Sequence, residues 1–217
     1  MNFSQQQVST QQEIAPNRVL AFSDGVFAFA ITLLILNIHV PLPQELLTTK
    51  KSLLDALGEQ WPTYLSFLLS FLIVGIVWGN HHTMFSYIKR SNHALVVLNL
   101  LLLLSIVVLP FIAALLALYI GTPEQQTAVL IYSGVWAIGG FFYNMLWWYS
   151  SWNHRLLDKD LPLETVRRLT RRYLFGPLFY MLAFGLSFFW NGTLGLGLCI
   201  LLALAYLLPT VADRVRS

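Results

Sequence analysis

Charge is scarce in this 217-residue sequence: thirteen Lys plus Arg and ten Asp plus Glu make up 11% of it, against 57% hydrophobic residues. Soluble domains carry about 25% charged residues, so water cannot be the solvent for most of the chain. That excludes a soluble enzyme domain, a nucleic-acid binder and a disordered tail protein. Cysteine is nearly missing as well. Cys199 stands alone in an apolar run, which rules out an intrachain disulfide and gives no reason to assign an oxidising compartment. No soluble domain, low-complexity tract or internal repeat can be traced.

What is present is a succession of apolar runs. A spanning helix needs roughly 20 mainly apolar residues, and six stretches meet or approach that length: Leu20 to Ile38, Trp61 to Asn80, Ala94 to Leu118, Ala128 to Tyr149, Tyr173 to Trp190 and Thr193 to Leu208. A transmembrane barrel alternates polar and apolar residues with period two, whereas Leu95 to Val108 is apolar all round. The predicted fold class is therefore an all-α membrane protein of six transmembrane helices. The first run follows a segment without Lys or Arg before Arg18, exceeds a signal-peptide core in length and lacks a small-x-small site, so it reads as a retained helix.

Basic residues set the orientation. With a cytoplasmic N-terminus, Arg18, Lys89, Arg90, Arg155, Lys159, Arg167, Arg168, Arg171, Arg172, Arg214 and Arg216 fall inside and only Lys50 and Lys51 outside, a positive-inside pattern. Six spans then leave both termini cytoplasmic, in a multi-pass protein of the cell membrane. Residues 1–17 read as a cytoplasmic N-terminal tail and 18–217 as a single six-helix domain.

The connections have patterns of their own. Leu46, Leu47, Leu53, Leu54 and Leu57 recur among Glu45, Lys50, Lys51, Asp55 and Glu59, which predicts a short amphipathic helix on the outer interface. Arg167, Arg168, Arg171 and Arg172 fall opposite Leu163, Val166, Leu169 and Tyr173. Two readings fit that basic face: an anionic-lipid contact or a plain cytoplasmic extension of the fifth helix. Pro110 predicts a kink in the third span. Asn191-Gly192-Thr193 matches a glycosylation acceptor but reads first as the tight turn between the last two helices.

In so apolar a chain the informative residues are those that are costly in lipid. Asp24 stands about one turn into the first span, where an unpaired acid costs up to about 2.5–3.5 kcal/mol at a helix centre and less at this depth. Arg18, six residues away, leaves a different face of the helix. Matching depths along the first two spans predicts a cluster of Arg18, Ser23, Asp24, Asn80 and His81. Adjacent His81 and His82 diverge on a helix, unlike the i,i+4 spacing of helical zinc sites, so a hydrogen-bonded network is expected in place of a metal site. Gly25, Ala28 and Thr32 form a small-residue pattern that lets membrane helices approach, and Phe29, Thr32, Leu33 and Leu36 share an adjacent stripe. Packing and pore lining are both open for that stripe.

The segment Arg18-x-x-x-Phe22-Ser23-Asp24-Gly25, with Thr-Leu-Leu-Ile-Leu after it and Asn80-His81-His82 in the second span, resembles the bacterial members of the endosomal and lysosomal potassium channel family, transmembrane protein 175. The resemblance covers six helices in the family's order. It implies a potassium-permeable channel, with no cofactor beyond the permeant ion, no catalytic residues and no nucleic-acid partner. The chain fits on the negative side, having neither a Thr-Val-Gly-Tyr-Gly filter nor a re-entrant loop between its last two helices. One Phe-Ser-Asp motif per chain implies a homotetramer with four copies of the first helix around the pore. Carried over residue by residue, the pore constriction and selectivity positions are Phe29, Thr32 and Leu36, with Leu33 nearby. Family members commonly have an aliphatic residue at the position of Phe29. Arg18, Phe22, Ser23, Asp24, Asn80 and His81 carry over as the network that holds the helix.

Two rivals stand beside the channel. A proton-coupled secondary transporter would use Asp24 with His81 and His82, although no inverted repeat or broken-helix pair is visible. A membrane enzyme would have to draw on Asp24, His81, His82 and His154, which show no nucleophile motif or chelating spacing.

Overall fold

The computed structural model describes residues 14–207; the expectations for most of the tail, for Arg214 and Arg216 and for the end of the sixth run lie outside the described residues. The described chain is helical: α1 (Pro16–Leu33), α2 (Pro43–Thr49), α3 (Leu53–Gly58), α4 (Trp61–Tyr87), α5 (His93–Val107), α6 (Leu109–Tyr119), α7 (Gln125–Ser151), α8 (Leu163–Phe189) and α9 (Gly192–Leu207). Prolines mark several starts. Pro16, Pro43, Pro62 and Pro110 all sit in the first turn of their helices, where a missing N–H removes no helical bond.

Among the described residues five segments are long and apolar enough to cross a membrane: Pro16–Asn37, Trp61–Tyr87, His93–Tyr119, Gln125–His154 and Leu163–Phe189. The sixth run forms α9, whose 16 residues rise about 24 Å against a hydrocarbon core of about 30 Å. It therefore falls short of spanning length within the described residues. Pro110 acts as expected. It cannot donate to Ile106, and the third span breaks there into α5 and α6 around Val108,.

Between the first two spans the predicted single amphipathic helix is two short ones. Lys50 adopts a left-handed conformation (φ 54°) that ends α2, and Ser52 caps α3 by accepting from the Asp55 amide at 3.1 Å. The α8–α9 connection is the tight turn expected at Asn191. Gly192 allows it to pack, since a β-carbon there would stand 2.7 Å from the Cα of Gln126 in α7.

The core is built around α7, which packs against α5, α6, α8 and α9. α1 lies at the side of this bundle, against α5 and α4. It buries Val19, Ser23, Phe27 and Ala30, followed by Leu34 just past its end, a set recurring at three and four residues, as one helical face requires.

Candidate functional site

Among the described residues nothing covers the opposite face of α1. Phe22 is 57% exposed, Phe29 67% and Leu36 75%, and Gly25, Ala28 and Thr32 are exposed beside them. Leu33 is half-buried. With Phe22, Gly25 and Phe29 it lines a shallow groove completed by Val107 of α5. Thr32 Oγ1 donates to the Phe29 carbonyl at 2.8 Å. The hydroxyl proton is thereby turned inward, and the oxygen lone pairs remain free on the exposed side.

Beyond Leu33 the helix tightens into a 3₁₀ turn, Leu34–Asn37. The Asn37 amide donates to the Pro110 carbonyl at 3.0 Å, which pins the end of the exposed face to the break in the third span. Leu36 thus stands on a turn fixed at both ends.

Nearer the helix start lies a polar layer, differing from the expected cluster in its partners. Trp78 Nε1 of α4 donates to Asp24 Oδ1 at 2.9 Å, a charge-assisted bond. Asn99 Nδ2 of α5 donates to Ser23 Oγ at 2.9 Å, and Asn99 Oδ1 faces His81 Nε2 at 2.9 Å. Because Oδ1 can only accept, His81 carries its proton on Nε2. Ser23 Oγ passes the chain on to the Val19 carbonyl at 2.9 Å. His81 is fully buried between the rings of Phe27 and Phe85, with centroids 5.4 and 4.5 Å away.

Ser23, Asp24 and His81 do meet at the α1–α4 boundary, but Arg18, Phe22 and Asn80 do not join them. Arg18 is exposed and forms no ion pair with Asp24, in keeping with its different helical face. Asn80 faces another way, into a cavity between α4, α5, α7, α8 and α9. The two residues missed by sequence reasoning are Trp78 and Asn99. Asn99 had a signal: it is the only polar side chain from Ala94 to Leu104.

No hydrogen bond joins Asp24 to His81 or His82 among the described residues, and the Ser23 chain ends on a backbone carbonyl. Such a chain is a fixed support, with no titratable group at its far end. Among the described residues no three His, Cys, Asp or Glu side chains are placed to share a metal ion. His154 accepts no part in this layer; its Nε2 lies 3.0 Å from the Leu161 carbonyl in the α7–α8 connection. Arg167, Arg168, Arg171 and Arg172 are exposed on the first turns of α8, with Leu169 and Tyr173 buried opposite.

Comparison with known proteins points to one family, some members of which are named as potassium channels and others, from vertebrates, as proton channels. The sequence model of the family described as "Endosomal/lysosomal potassium channel TMEM175" matches residues 18–110. A protein of Chamaesiphon minutus named as a potassium channel is 39% identical over 205 residues, covering 94% of this chain and all of the relative. A second named potassium channel, from Streptomyces collinus, is 41% identical over 172 residues, 79% of this chain and 82% of its own. Among solved structures, a lysosomal potassium-selective channel TMEM175 homolog from Chamaesiphon minutus superposes with a TM-score of 0.78 at 39% identity, covering 88% of this chain and 95% of that one. These relatives are named as channels, none as an enzyme.

Proposed function

The chain belongs to the endosomal/lysosomal potassium channel TMEM175 family, and from that premise we propose that it is a potassium-permeable cation channel of the leak type, not an enzyme, whose pore is lined by α1 from each of four identical subunits. The observation that carries this reading is the uncovered face of α1. Phe22, Phe29 and Leu36 are bare in one chain, as apolar residues on the lipid-facing sides of the other helices also are, but here they alternate with exposed Gly25, Ala28 and Thr32, small residues that let copies of α1 approach closely. Four copies around an axis would turn Phe29, Thr32 and Leu36 toward a shared lumen and seat neighbours on the groove beside Leu33.

In that assembly Phe29 and Leu36 form apolar rings that gate by dewetting, and four Thr32 oxygens supply the polar ring between them. Hydroxyl lone pairs replace part of the shell of a weakly hydrated cation more readily than that of a strongly hydrated one. Potassium is therefore favoured over sodium, moderately compared with a filter of stacked carbonyls. The Asp24–Trp78 and Ser23–Asn99–His81 bonds hold the helix and take no part in ion coordination.

We read residues 18–217 as one channel domain with six spans, α9 being the last. The positive-inside count supports cytoplasmic termini and the basic turns of α8 a contact with anionic lipid in the cell membrane. Mass measurement in detergent, followed by reconstitution under opposed potassium and sodium gradients, tests the proposal. A tetramer with a reversal potential displaced toward potassium is the expected result; a stable monomer removes the shared pore.

A further inference from the structure

Away from the α1 face, the helices α4, α5, α7, α8 and α9 line a partly open cavity of about 80 Å³. Close helix packing shapes it: a β-carbon on Gly139 of α7 would come within 3.1 Å of Ser105 Cβ in α5, and one on Gly140 would meet the ring of Pro177 in α8. Its wall is mainly apolar, yet four of the lining residues carry a buried donor without a partner. They are Trp136 Nε1 and the hydroxyls of Tyr143, Tyr173 and Tyr180; the Tyr143 and Tyr173 hydroxyls lie near each other without forming a well-aligned bond. All four side chains are buried to at least nine-tenths. Leaving even one such group unpaired is unfavourable, and four around one void point to an occupant.

Size narrows what the occupant is. An apolar cavity of roughly 150 Å³ takes up benzene, and a water occupies roughly 30 Å³ of liquid. A void of half the benzene size shuts out a lipid tail or a drug-sized body and admits a small ion with one or two waters. Charge gives the sign. Arg172, otherwise exposed, lines the cavity where it opens beside Tyr143 and Tyr173, and no Asp or Glu lines it anywhere. Among the described residues Arg172 has no carboxylate partner. A guanidinium with two hydroxyl donors beside it complements a compact anion.

We propose that this cavity is a binding site for a small monatomic anion, chloride or another halide, held by Arg172 and the Tyr143 and Tyr173 hydroxyls inside each protomer. Water pairs with Trp136 and Tyr180 at the far end. Arg167, Arg168 and Arg171 precede the mouth on the same helix and draw anions toward it. The site is separate from the pore face and does not depend on which cation the pore passes. Its occupant ties α7 to α8 and adds to the stability of the protomer in proportion to occupancy.

Crystals of the full-length protein grown or soaked in bromide test the position directly: an anomalous peak between Arg172 and the two tyrosine hydroxyls is expected. In solution, the unfolding midpoint of the detergent-solubilised protein should rise saturably as chloride replaces gluconate at constant potassium and ionic strength. Tyr173→Phe and Arg172→Gln should flatten that rise while leaving the midpoint in gluconate close to that of the parent. Density in the cavity without anomalous signal, meaning water alone, overturns the proposal. So does a chloride response absent from the parent, or unchanged in both variants.

Discussion

Asn99 of α5 donates to the Ser23 hydroxyl of α1 at 2.9 Å, across 76 residues of sequence and with both side chains buried. Since Ser23 already donates to its own helix at Val19, it is free to accept, and Asn99 is the one side chain here that donates to α1 and accepts from α4 at once. One amide thus ties the exposed helix to both neighbours, beside the Asp24–Trp78 and Asn37–Pro110 bonds that hold it at other levels.

Replacing Asn99 with Leu keeps the volume and removes both bonds. His81 Nε2 is then left buried and unpaired, which costs about 1–3 kcal/mol. The expected outcome is a lower unfolding midpoint of the detergent-solubilised protein with the helical content retained. A midpoint equal to that of the parent would show that the amide holds nothing.

Thr32→Ala removes the oxygen that faces away from the protomer while Phe29 and Leu36 remain. If the hydroxyl ring discriminates between cations, the variant passes current with its reversal potential moved toward the sodium side. An unchanged reversal potential sinks the assignment of selectivity to Thr32.

Phe29→Ile replaces a ring that is 67% exposed in the protomer by a narrower aliphatic side chain. In a four-fold assembly the change acts four times at one level of the pore. Unitary conductance should increase and stability should hardly move, because the side chain buries little within its own chain. A fall in the unfolding midpoint without any change in conductance would instead mark Phe29 as packing.

Much of this architecture was legible in advance. Apolar runs gave the spans because lipid imposes a length and a composition on every crossing, and Pro110 gave the α5–α6 break because its ring removes one donor at a known place. Spacing also put Phe29, Thr32 and Leu36 on one stripe. It did not tell which stripe turns outward, since that depends on where α4 and α5 lie, and those contacts are set by residues 50 to 80 positions away. The Asp24 partner illustrates the same limit. Depth matching led to the right end of α4, but one helical turn separates Trp78 from His81, and only the azimuth of α4 decides between them.

The outer connection should respond to acid. His39 Nε2 lies 3.1 Å from Glu45 Oε2, and the Leu42 amide donates to the same oxygen at 3.0 Å. The His39 bond first, then the Leu42 amide, holds the Glu45 carboxyl below its ordinary value of 4.5. A group whose value is lowered by folding contributes fully above the unfolded value and loses its contribution as pH falls through the folded one. The start of α2 should therefore stay ordered at neutral pH and loosen below the usual carboxylate range. Amide exchange of Leu42 followed against pH reads this directly, and Glu45→Gln should abolish the acid dependence.

Where α7 crosses α8, Gly140 faces Pro177: an added β-carbon would lie 2.8 Å from the Pro177 Cβ and 3.3 Å from its Cα. A proline ring within a helix cannot rotate away, so Gly140→Ala must push the two helices apart, and overpacking of this kind costs about 1–3 kcal/mol. Gly185→Ala provides the contrast, because a β-carbon there meets nothing within 4 Å and a helical alanine is favoured over glycine by about 1 kcal/mol. Thermal unfolding of the two variants should move in opposite directions, with Gly140→Ala below the parent and Gly185→Ala level with it or above. Equal midpoints would mean that α7 and α8 can separate without loss, and the close crossing at Pro177 would then not be what holds the bundle together.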